Sequence, residues 1–223
     1  MTFGDYAVHA ELPDFLVTDD EVAPPRAIRV KAERAPSANH TPGEPGLWIF
    51  ILGDMTLFGA FFIALMWEKR QFSTVFHTSA AHLDRPIGAA NTLILLLSSY
   101  LVVAATWAHR RDEHQRARRY LHGALACGVV FVAFKAVEYT QGISAGHTPT
   151  SNMFFTMYYV LTGIHLLHVF IGAGLLAIWS MSLRGRRSFT ASQRLAEGIA
   201  VYWHMVDLLW LLIFPLVYLV CAA

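Results

Sequence analysis

Charge, cysteine and electrostatic bias are what these residues have little of. Only 15% of the 223 are charged, and 17 Lys and Arg stand against 16 Asp and Glu. Such a balance supplies no basic field for nucleic acid, so no nucleic-acid partner is expected. Cysteine occurs at Cys127 and Cys221, both inside apolar runs and without CxxC spacing, so neither a disulfide framework nor a thiolate metal site is indicated. No apolar run precedes Gly46, and the early acids Asp5, Glu11, Asp14, Asp19, Asp20 and Glu21 argue against a transit peptide, so no cleaved leader is expected. No repeat of solenoid length is visible.

What is abundant is apolar surface. A hydrophobic content of 55%, with 13% aromatics and a mean hydropathy of +0.43, is too apolar for a soluble domain of this size. The fold class expected is therefore all-α, a polytopic membrane helix bundle. Residues 1–46 stand apart, with Pro13, Pro24, Pro25, Pro36, Pro42 and Pro45 and few aliphatics; they read as a polar extramembrane tail, disordered on its own. Residues 47–223 carry five apolar runs, at 47–67, 89–108, 121–139, 153–181 and 198–221, each near the ~20 residues that cross a hydrocarbon core.

Lys and Arg gather on alternate connections. Arg26, Arg29, Lys31 and Arg34 lie in the tail, Arg110, Arg111, Arg116, Arg118 and Arg119 between spans two and three, and Arg184, Arg186, Arg187 and Arg194 between spans four and five. The other side has Lys69, Arg70 and Arg85. The positive-inside rule then puts the N-terminus, and the tail with it, in the cytoplasm and the C-terminus outside.

Ionisable groups inside the spans are the candidate functional residues, because an Asp at the helix centre costs roughly 2.5–3.5 kcal/mol by insertion scales and so faces protein. His204 and Asp207 lie three apart on span five and share a face. Asp54 on span one and His165 and His168 on span four are the groups available to meet them. With a rise of ~1.5 Å per residue, Asp54 falls roughly 12 Å from the inner end, His204 and Asp207 roughly 10–15 Å, and His168 and His165 roughly 16–21 Å, a common buried polar layer.

His165 and His168 form HxxH on one helical face, a spacing that can supply two ligands to a small metal ion, and either could join His204 as an axial haem pair. Buried histidines that hydrogen-bond across tightly packed helices are the favoured reading. The small residues Gly163, Gly172, Ala173 and Gly174 in the same stretch suit close packing. No metal site is therefore expected. Asp54 has nothing in its own helix to offset its charge, which makes it either a proton-exchanging carboxyl or a neutral acid held by a neighbouring helix. Lys135 and Glu138 fall nearer the outer face, three apart, as a structural ion pair or an outer polar site for lipid phosphate. Trp67, Trp107, Trp179 and Tyr139 at span ends read as interfacial anchors.

TGIHLLHVFIG at 162–172 and EGIAVYWHMVDLLWL at 197–211 closely resemble subunit III of the haem-copper cytochrome c oxidases. ANTLILLLSSYLVVAATWAH at 90–109, AVEY at 136–139 and LGDMTLF at 52–58, where that family has its buried carboxyl, extend the resemblance from Pro45 onward. Two departures stand out: longer members have seven helices against five here, and the buried carboxyl, typically Glu, is Asp54. The short form is also similar to accessory proteins linked to nitric oxide reductase. The resemblance implies a multi-pass subunit of a bacterial inner membrane, without haem, copper or redox chemistry of its own. It would sit beside a catalytic subunit I and a subunit II that hold the haem and copper, or beside nitric oxide reductase subunits, supporting proton uptake and stability. Phospholipid is its implied small ligand, in a cleft made with the two helices missing here. A free-standing proton-coupled transporter using Asp54, His204 and Asp207, and a membrane cytochrome, are the alternatives from other classes.

Overall fold

Runs of apolar residues this long become helices because, in hydrocarbon, every backbone N–H and C=O has to be satisfied within its own segment. The computed structural model describes residues 45–184 and 193–221, so the tail reading for 1–46 lies, up to residue 44, outside the described residues. Among them are α1 (Pro45–Gln71), α2 (Ser73–Ala80), α3 (Arg85–Arg110), α4 (His114–Ser144), α5 (Met153–Ser182) and α6 (Gln193–Phe214), the last continued by a π-helical turn, Pro215–Val220. All except α2 correspond to the five expected spans and are long and apolar enough to cross a membrane. The helices overrun those spans by up to about two turns, because polar residues such as Lys69 and Arg70 on α1 or Arg116 on α4 continue a helix once it has left the apolar layer.

Helix ends follow local chemistry. Asn152 caps α5, its side-chain oxygen accepting from Phe155 N at 3.0 Å. The other end of that side chain donates to Ser79 Oγ at 2.9 Å and ties α2 to α5. Gly146 closes α4 with a φ of 84°, where a side chain would be strained. Pro215 lacks an N–H and would crowd the carbonyl four residues back, and the widened turn that begins there turns Tyr218 into the core.

The helix at the centre is α6. Half of its most apolar stretch is buried, against 17% for α1, which touches only α2, α5 and α6 among its substantial neighbours. Trp203 of α6 fixes the spacing. Its ring lies over Gly172 of α5, where an added Cβ would come 2.7 Å from Cε3, and near Gly128 of α4. Its indole donates to Ser98 Oγ of α3 at 3.1 Å, while that hydroxyl donates to the Ala124 carbonyl of α4 at 3.2 Å. Gly172 thus serves close packing, whereas Gly163 and Gly174 have open space beside them. Trp67 and Trp107 are exposed at span ends, but Trp179 is fully buried and packs edge-on against His109, 5.8 Å between centroids, so it is a core residue and not an interfacial anchor. Tyr139 is tied inward too, its hydroxyl 2.6 Å from Thr162 Oγ1.

Candidate functional site

Asp54 and His168 meet between α1 and α5, with Oδ1 3.0 Å from Nε2. The other ring nitrogen, Nδ1, lies 2.8 Å from the Ile164 carbonyl one turn back. A carbonyl only accepts, so Nδ1 carries hydrogen and Nε2 either accepts from a protonated Asp54 or donates, as imidazolium, to its carboxylate. Both arrangements hold one proton between the two side chains. Each residue is over nine-tenths buried, and Phe58, one turn along α1, sets its ring edge-on to the imidazole at 5.7 Å. Asp54 Oδ2 is buried with no hydrogen-bond partner among the described residues.

His165, three residues before His168, faces elsewhere. A step of three residues turns about 60° short of a full circle, enough to send the rings to different neighbours. His165 is fully buried, edge-on to Phe131 of α4 at 5.7 Å and 5.3 Å from Trp210 of α6, and neither ring nitrogen has a partner among the described residues. HxxH therefore does not converge on one point. Among the described residues no group of three His, Cys, Asp or Glu is placed to hold a metal ion.

His204 of α6 contacts α3 instead of α1 or α5, with Nδ1 2.6 Å from Ser99 Oγ. Asp207, three residues on, is buried beside the same Ser99 hydroxyl. Residues expected in one layer thus occupy three contacts: Asp54 with His168 at α1–α5, His204 with Ser99 at α3–α6, and His165 inside α4, α5 and α6. Residue number gives position along a helix, whereas azimuth, which decides the partner, depends on packing. Nothing in the sequence singled out Ser99. Where α3 ends and α6 begins, Arg110 Nη2 reaches Glu197 Oε1 at 3.0 Å and joins the two helices.

Lys135 and Glu138 form a separate buried group. Lys135 Nζ is 3.1 Å from Glu138 Oε2, 2.9 Å from the Tyr158 hydroxyl and 3.1 Å from that of Tyr218, and Tyr218 donates to Glu138 Oε1 at 2.5 Å. All three ammonium donors are used inside the protein, leaving none for a lipid phosphate. The rings of Tyr139, Tyr158, Trp210 and Tyr218 surround the ammonium at 4.9 to 5.8 Å.

A family profile described as cytochrome c oxidase subunit III matches residues 43–222. A cytochrome c oxidase subunit 3 from Thermostichus vulcanus is 30% identical over 78% of this chain and 85% of its own length. A probable quinol oxidase subunit 3 from Staphylococcus haemolyticus is 26% identical over 78% and 87%. A heme-copper oxidase subunit I+III from Aeropyrum pernix is 33% identical over 78% of this chain, which spans 22% of that longer protein.

Proposed function

This chain belongs to the cytochrome c oxidase subunit III family, and from that premise we propose how it works: as the non-redox accessory subunit of a haem-copper respiratory oxidase in a bacterial cell membrane, stabilising its catalytic partner and assisting proton uptake. The family match carries the subunit assignment. The nitric oxide reductase and free-standing transporter readings are not favoured, since the matched relatives are oxidase subunits. Haem and copper then belong to subunits I and II. That one relative carries subunits I and III in a single chain supports a position beside subunit I. Purified as a complex, this chain should accompany a haem-bearing subunit in fixed ratio; purified alone, it should show no stoichiometric haem or copper by optical spectrum and metal analysis. Either metal bound in the isolated chain overturns the assignment.

The Asp54–His168 pair supports the proton-uptake part of the reading, with the N-terminus inside and Asp54 in the cytoplasmic half of its span. A pair holding one proton is net neutral in both arrangements, so the proton can move between Asp54 and His168 without a net charge in hydrocarbon, and handing it on requires another proton to take its place. Asp54→Asn keeps a hydrogen-bonding group toward His168 but has no proton to exchange. In the assembled complex it should leave haem content and substrate affinity unchanged and lower turnover, with the deficit growing from pH 6 to pH 9 as protons become scarce. Turnover matching the wild type across that range would make Asp54 a packing residue.

A further inference from the structure

We propose that the groove where α3 turns into α4 binds the headgroup of an anionic phospholipid. The groove, about 390 Å³, is lined by α3, α4 and their link alone, so it is separate from any cleft beside α1. Its mouth holds Arg111 and Arg116. The Arg111 guanidinium lies over the Trp107 ring, 5.5 Å from its centroid, and has no carboxylate partner among the described residues. Arg116 Nη1 is 2.8 Å from Glu113 Oε2, which engages one edge of a five-donor fork and leaves the rest free.

The chemistry grades along the groove. Above are the two guanidinia, with Arg118 and Arg119 adding positive field from the next turn of α4. Midway, Trp107 and Tyr120 present rings with polar edges of the kind that settle at headgroup depth. Below, Tyr100 and Val103 line the floor and continue into the exposed apolar stripe of Leu93, Leu96 and Leu97. A free anion would gain the top of this groove and nothing from its floor. A phosphodiester carrying acyl chains uses both, and basic pockets between helices at such membrane faces suit anionic lipid. A zwitterionic lipid brings no net charge to the arginines.

The test is lipid retention by the full-length protein in native mass spectrometry, with phosphatidylglycerol, phosphatidylcholine or inorganic phosphate added. Wild type should retain phosphatidylglycerol preferentially. Arg111→Gln with Arg116→Gln should lower that retention roughly 25-fold, about fivefold for each charge near the surface. Exposed Arg70→Gln, outside the groove, should change nothing. Arg111→Lys with Arg116→Lys should keep the preference for the anionic lipid, which separates lost charge from a folding defect. Retention unchanged in the Gln pair, displacement of the lipid by millimolar phosphate, or loss of the lipid once the whole complex is assembled would each overturn the proposal.

Discussion

Lys135→Met is expected to cost about 3–5 kcal/mol of stability, the range found when one partner of a buried ion pair is removed. Lys135 is 1% exposed, and its ammonium joins Glu138, Tyr158 and Tyr218 from α4, α5 and the turn after α6. Methionine fills similar volume but leaves the Glu138 carboxylate buried with only the Tyr218 hydroxyl. The cost therefore arises mainly from what remains, so Lys135→Met combined with Glu138→Gln should recover most of it. SDS-titrated unfolding of wild type, Lys135→Met, Glu138→Gln and the double variant in mild detergent, followed by tryptophan fluorescence, measures the coupling. Equal midpoints for wild type and Lys135→Met would show that the cluster contributes nothing to stability.

Two glycines on one helix provide the second large contrast. At Gly172 a methyl group would lie 2.7 Å from Trp203 Cε3 and 3.3 Å from Tyr202 Cε1, too close without moving α5 from α6. Gly172→Ala should destabilise by about 1–3 kcal/mol, as overpacking does, and Gly172→Val by more. At Gly174 nothing lies within 4 Å, so Gly174→Ala should be neutral or gain up to about 1 kcal/mol from helix propensity. Trp203→Phe should partly rescue Gly172→Ala by drawing the ring back, although it gives up the bond to Ser98. Thermal unfolding of these variants decides the matter; equal behaviour of the two alanines would mean that the contact at Gly172 does not set helix spacing.

The five spans were legible because hydropathy over twenty residues depends on composition alone. The α2 helix was not, since Ser73–Ala80 is too short and too polar to register as a span. Asp54, His168, Lys135 and Glu138 announced themselves by charge in an apolar setting, and the Lys135–Glu138 contact followed from spacing within one helix. Contacts between helices were harder. Ser99 and Tyr158 are ordinary residues for a membrane helix until the rotation of their neighbours is known. Tyr218 reaches Lys135 only through the altered turn after Pro215, which no periodicity reveals. Trp179 shows the limit from the other side: its place near a span end suggested an anchor, while the packing of His109 against it makes it core.

The Lys135 cluster also imposes an order on biosynthesis. Tyr218 lies 83 residues after Lys135 and is the phenol that bridges the ammonium to Glu138. At roughly 5–20 residues per second, Lys135 waits about 4–17 s on the ribosome's clock before that hydroxyl exists. During the wait the polar side chains of Lys135 and Glu138 on α4 lack the hydroxyl that joins them, which makes α4 a poor free passenger in lipid. The shell around Lys135 is therefore complete only once the segment after α6 has been made.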